Sequence, residues 1–282
     1  MNKKNILGVG ITDATKQEVL EYIVENVENF KKKLLVVTPN PEFLVLANKD
    51  NVFRNILNGA DLALADGVGV MIAAKIMGKP LKERFTGIDL VKSLCNEVSE
   101  KPITVGFLGG RGRVAELTAE CLRKIHPKLK VVFVGEDWPD NLIENPSRVT
   151  SNASEAKSGR TSWLESLTGD VSSSKFGSTL STPTGVRVLL PKNIDILFVA
   201  FGAPKQEFWI SENLNKIPVK VAIGVGGAFD YISGKIPRAP RFIRNIGFEW
   251  LFRLVVQPWR MKRQLSLIKF AWLIAKEKIS KN

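Results

Sequence analysis

The sequence predicts an α/β fold: a Rossmann-like parallel sheet with helices on both faces, followed by a basic helical C-terminal appendage. Three observations carry this. Short apolar runs bounded by Gly, Pro and Asn alternate with longer segments of helical spacing. The runs are apolar at consecutive positions, as in Leu34 to Val37 and Ile194 to Phe201, which is the pattern of strands covered on both faces. The positive charge gathers beyond Pro237, in a segment whose helical spacing is broken at Pro240 and Pro258.

Taken in order, Lys3 to Ile11 reads as a first strand with a turn, and Thr15 to Phe30 as a helix with Val19, Ile23, Val27 and Phe30 on one stripe. Leu34 to Val37 is a β-branched strand stopped by Thr38-Pro39-Asn40-Pro41. Glu42 to Asn58 reads as one helix and Asp61 to Ala65 as a short strand, after which Asp66-Gly67-Val68-Gly69 opens another helix. Helix is expected over Ile88 to Ser99, Val114 to Ile125 and Lys205 to Asn215. Strand is expected over Ile103 to Leu108, Lys130 to Val134, Ile194 to Phe201 and Val219 to Val225.

Composition narrows the class. At 44% hydrophobic and 24% charged residues, the chain is neither disordered nor collagen-like. Its 282 residues suffice for a large core. Two cysteines, Cys95 and Cys121, make no disulfide framework, and one histidine, His126, excludes a site needing two imidazole ligands. The apolar stretch after Met1-Asn2-Lys3-Lys4 is too short and Gly-broken for a secretion signal, and no long uncharged run reads as a membrane span. A cytoplasmic protein with reduced thiols is expected.

Of the net charge of +13, +9 falls between Arg238 and Asn282, where eleven Lys or Arg meet only two acids, Glu249 and Glu277. Three of the six tryptophans lie there among many large aliphatics. Bulky apolar residues interleaved with cations suit an anionic membrane surface or a phosphorylated substrate better than a nucleic acid. The stretch 146–185 differs: Ser and Thr dominate it, periodicity is lost, and it reads as an inserted, poorly packed surface loop. The expected division is a core at 1–236 containing this insert, and an appendage at 237–282.

Ligands of open α/β sheets bind beyond the carboxyl ends of the strands. Four loops fall there: Thr38 to Glu42, Ala65 to Gly69, Gly106 to Gly112 and Gly202 to Glu207. Taken singly, each is explained by turn or helix-cap chemistry. The third could cradle phosphate on backbone N–H groups, although it is not a clean dinucleotide fingerprint. Walker, metalloprotease, nucleophile-elbow and C-x-x-C signatures are all missing, as is a D-x-D triplet. A general base must then be Asp, Glu, Lys or Tyr, and Asp66 is the best placed.

The ordered set is more specific than its parts. Thr38-Pro39-Asn40, Ala65-Asp66-Gly67-Val68-Gly69, Arg84-Phe85-Thr86-Gly87, Gly202-Ala203-Pro204-Lys205-Gln206-Glu207, Gly224 to Asp230, Arg238-Ala239-Pro240 and Glu249 to Leu254 occur in this order. The set resembles the WecG/TagA/CpsF family of bacterial glycosyltransferases over nearly the whole chain except the insert. The resemblance implies an inverting, metal-independent transfer of N-acetylmannosamine, or its uronic acid, from a UDP donor. The implied acceptor is polyprenyl diphosphate-linked N-acetylglucosamine at the inner membrane face, for teichoic acid or polysaccharide synthesis. No cofactor is implied, nor any nucleic acid; self-association is.

The resemblance also assigns roles. Asp66 falls on the catalytic base, and Thr38, Asn40 and Gln206 on polar groups of the substrate pocket. Arg253, Arg260 and Arg263 fall on appendage arginines that would stabilise the departing UDP. A carboxylate at a helix start tends toward a lowered pKa, so Asp66 would need burial to act as a base. The competing reading is a non-catalytic module that holds a nucleotide or a lipid headgroup.

Overall fold

The computed structural model describes residues 1–138, 179–181, 187–189, 193–240, 242–243, 249–256 and 261–280. The chain opens with an antiparallel hairpin of β1 (Lys3–Ile6) and β2 (Val9–Thr12). The strand with a turn expected over Lys3 to Ile11 is a two-stranded hairpin, set apart from the main sheet. Leu7 and Gly8 make the reversal with φ of 50° and 82°. Helix α1 (Lys16–Asn29) starts on a capping box, in which Thr15 Oγ1 accepts from the Glu18 N–H and the Glu18 carboxylate accepts from the Thr15 N–H.

Strand β3 (Leu34–Val37) leads into α2 (Pro41–Ala47) and α3 (Asn51–Gly59). The sequence pattern joins these as one helix; the structure breaks it because Asp50 starts a new one, its Oδ1 accepting from the Phe53 N–H at 3.0 Å. Then follow β4 (Leu62–Ala63), α4 (Val68–Ile76), α5 (Gly87–Val98), β5 (Thr104–Gly109), α6 (Val114–Ile125) and β6 (Lys130–Gly135). A small antiparallel pair, β7 (Thr179–Ser181) and β8 (Arg187–Leu189), precedes β9 (Ile194–Ala200). After it come α7 (Lys205–Asn213), β10 (Val219–Gly224) and α8 (Ala228–Ile232), then α9 (Glu249–Val256) and α10 (Met261–Ile279). The expected insert lies almost wholly outside the described residues.

Six strands form one sheet in the order β4-β3-β10-β9-β5-β6, every neighbouring pair parallel. Strand side chains alternate between faces, so both faces must be apolar to be covered. Leu35 and Val37 of β3 pack into the layer with the hairpin, α2, α3, α4, α7 and α10. Leu34 and Val36 pack into the layer with α1, α5, α6 and α8. In the second layer, Phe107 stacks on Phe198 at 5.5 Å and meets Phe229 edge-on at 5.6 Å. This arrangement aims the carboxyl ends of β3, β4 and β10 at one place.

Candidate active site

Three backbone links close the loops at these strand ends. The Asp66 N–H donates to the Pro39 carbonyl at 2.9 Å, the Phe85 N–H to the Ala65 carbonyl at 3.0 Å, and the Val225 N–H to the Val199 carbonyl at 2.9 Å. Gly67 sits at φ 100°, a conformation that suits glycine, and so turns the chain from Asp66 straight into α4. At Gly87, a Cβ would stand 2.9 Å from the Val225 carbonyl oxygen, so the start of α5 reaches the end of β10 only without a side chain.

Between these loops lies a cavity of about 400 Å³, within the span of pockets that hold one small-molecule ligand (roughly 300–1,000 Å³). Asn40, Asp66, Arg84, Thr86 and Tyr231 line it from the core, and Glu249, Trp250 and Leu267 from the C-terminal helices.

Asp66 carries the most perturbed chemistry in the pocket. Its pKa is pushed up to about 7, chiefly by burial and next by the charge of Glu249. A hydrogen bond from the Gly87 N–H and the charge of Arg84 pull the other way, and Asp89 adds a smaller upward push. The helix-start effect expected from the sequence is that of α4, which Asp66 precedes; the N–H that lowers the pKa comes instead from Gly87 at the start of α5, and burial outweighs it. The result is a carboxylate that exchanges its proton near neutrality, as a general base requires.

The other candidates fall into three groups. Asn40 lines the pocket and also caps α2, its Oδ1 accepting from the Phe43 N–H at 3.1 Å. Thr38 and Gln206 are buried one layer below, outside the pocket lining. Thr38 Oγ1 donates to the Gly224 carbonyl at 3.0 Å, joining the ends of β3 and β10. Gln206 Oε1 accepts from the N–H groups of Gly202 at 3.2 Å and Gly226 at 2.9 Å, joining the loops after β9 and β10. Its Nε2 donates to Glu207 Oε1 at 2.6 Å. Burial pushes Glu207 up to about 8, so this carboxyl is neutral at pH 7. Arg253 lies within α9 and Arg263 within α10, but their side chains, and all of Arg260, are outside the described residues. The Gly106 to Gly112 turn does not line the pocket.

Sequence reasoning gave no role to Glu249, Arg84 or Thr86. A signal for Glu249 did exist, since it is one of two acids in a tail of eleven cations. A buried role is one reason to keep a negative charge in such a segment.

A family model described as "Glycosyl transferase WecG/TagA/CpsF family" matches residues 4–148 and 186–282. The chain belongs to this family, and it is a glycosyltransferase. The unmatched stretch coincides with the Ser/Thr-rich insert. The chain is 28% identical over 276 residues to an N-acetylglucosaminyldiphosphoundecaprenol N-acetyl-beta-D-mannosaminyltransferase of Bacillus spizizenii, covering 98% of this chain and 92% of the relative. Proteins of the same description from Bacillus subtilis and Staphylococcus aureus are 25% and 26% identical, covering 100% and 98% of this chain and 94% and 93% of theirs.

Proposed function

We propose that the chain transfers N-acetylmannosamine from a UDP donor to polyprenyl diphosphate-linked N-acetylglucosamine, with inversion and without a bound metal, in synthesis of a cell-wall polymer. The observation that carries the reading is Asp66, a carboxylate with a near-neutral pKa facing a sugar-sized cavity in a chain of this family. Asp66 takes the proton of the acceptor hydroxyl as its oxygen attacks the anomeric carbon. The bond from that carbon to the β-phosphate oxygen breaks, and UDP leaves with the electron pair. Asn40 and Thr86 supply hydrogen bonds to the sugar, and Arg84 a positive charge beside it. Arg253, Arg260 and Arg263 are proposed to meet the diphosphate, where forked donors suit phosphate oxygens.

The acceptor's lipid calls for a membrane surface, and the outer face of α10 supports one. Phe270, Leu273 and Ile274 are buried against the core, while Leu265, Ile268 and Trp272 stay exposed at 63%, 71% and 58%. Lys276 lies 5.3 Å from the Trp272 ring. Lys269 faces Lys49, whose side-chain contact, followed by desolvation and like charge, lowers its pKa and marks a basic spot beside the apolar face. No helix among the described residues is long and apolar enough to cross a membrane, so the proposed attachment is peripheral, at the cytoplasmic face.

The test is product analysis. Purified protein is incubated with UDP-N-acetylmannosamine, or the uronic acid donor, and a short-chain lipid diphosphate N-acetylglucosamine, with and without EDTA. A lipid-linked disaccharide with inverted anomeric configuration, formed from the uncarboxylated donor and insensitive to EDTA, is expected. UDP binding without product would turn the reading to a binding module.

A further inference from the structure

Glu249 reaches the pocket from α9, outside the six-stranded core, and stands there with Asp66. Its place is set by one cation. Arg238 Nη2 donates to Asp89 Oδ1 at 2.8 Å, and its Nε lies 3.5 Å from Glu249 Oε1. Asp89 is fixed in turn by Thr86, whose Oγ1 donates to Asp89 Oδ2 at 2.8 Å. Thr86, Asp89, Arg238 and Glu249 thus form a chain of contacts from the core wall of the pocket to its C-terminal wall. The nearer end is firmly made: burial opposes the charge on Asp89, yet Arg238 and Thr86 together hold its pKa below the usual carboxylate range. The far end is looser. Arg238 Nε and Glu249 Oε1 are both buried atoms, and neither makes a hydrogen bond.

We propose that Glu249, which lines the same cavity as Asp66 and is braced by Arg238 against Asp89, is a positioning carboxylate for Asp66. Its negative charge opposes ionisation of Asp66, against Arg84 and the Gly87 N–H, the two groups that favour ionised Asp66. Asp89 pushes in the same direction as Glu249 but is itself tied to Arg238. Glu42, on α2, lines the same pocket.

The part that concerns catalysis rests on the proposed role of Asp66, so the test separates the two. The ionisation of Asp66 is followed by carbon NMR of its side-chain carboxyl in the wild type, Glu249→Gln and Glu249→Asp, with Asp66→Asn to assign the signal. No turnover is needed. Glu249→Gln keeps shape and loses charge, and its Asp66 midpoint is expected to fall by about one pH unit, the size of coupling between interacting carboxyls. Glu249→Asp retains the charge and is expected to return the midpoint toward the wild-type value. A midpoint unmoved in Glu249→Gln, in a variant that unfolds at the wild-type temperature, would overturn the inference. In parallel, the acid limb of kcat/KM for UDP release is expected to shift with the NMR midpoint. A midpoint that moves while the wild type releases no UDP would leave the Asp66–Glu249 coupling standing and remove the transferase reading instead.

Discussion

The two walls of the pocket are built differently. On the core wall, Asp66 sits at a strand end fixed by backbone hydrogen bonds to Pro39 and between Ala65 and Phe85, above a sheet buried on both faces. On the C-terminal wall, Glu249 and Leu267 belong to helices held by Arg238 and by the packing of Phe270, Leu273 and Ile274. The core wall is held by backbone hydrogen bonds within the sheet layer, and the C-terminal wall by side-chain contacts between elements. The proposed base thus stands on the core wall and the carboxylate proposed to position it on the C-terminal wall.

Among changes away from Asp66 itself, breaking the link between the walls is expected to have the largest effect on turnover. Arg238→Gln removes the cation shared by Asp89 and Glu249, and kcat/KM is expected to fall about tenfold, equivalent to about 1.4 kcal/mol of transition-state stabilisation. Steady-state kinetics with both substrates measures this; unchanged kinetics would mean the walls stay registered without Arg238. A smaller effect is expected on the outer face of the C-terminal wall. The double change Ile268→Ser with Trp272→Ser removes exposed apolar area and is expected to weaken binding to anionic vesicles several-fold in co-sedimentation, since burying such a side chain contributes about 1.5–3 kcal/mol at most. Turnover on a vesicle-bound acceptor should fall more than on a detergent-dispersed one. The smallest effect on turnover is expected from Thr38 in the core wall, where the loss falls on stability instead. Thr38→Val leaves the buried Gly224 carbonyl without its donor, costing about 1–3 kcal/mol, read as a lower denaturant midpoint with an unchanged slope.

The same contrast governs what could be read in the sequence. Leu34–Val37 is legible because a strand covered on both faces must be apolar throughout, and Val114–Ile125 because its stripe has helical spacing. The place of Asp66 at the pocket is legible because ligand sites of such sheets lie at the strand ends. The split between α2 and α3 was hidden, since both bury the same face and the cap at Asp50 interrupts no periodicity. Thr38 and Gln206 could be placed at strand ends, but not assigned to the layer below the pocket, because burial there depends on which loops meet. Glu249 could be seen as an unusual acid but not as a partner of Asp66, because α9 reaches the pocket through tertiary docking alone.

The most direct test of the central claim is the pH dependence of UDP release from UDP-N-acetylmannosamine with the lipid-linked acceptor, in the wild type and Asp66→Asn. A base with a pKa of about 7 is ionised above that pH and protonated below it. The wild-type kcat/KM should therefore level off above pH 7 and decline about tenfold for each pH unit below it. Asp66→Asn should lose roughly 10²–10⁴-fold at pH 8 and lack that acid limb. An Asp66→Asn enzyme that releases UDP at the wild-type rate, or that keeps the same acid limb, would contradict the account.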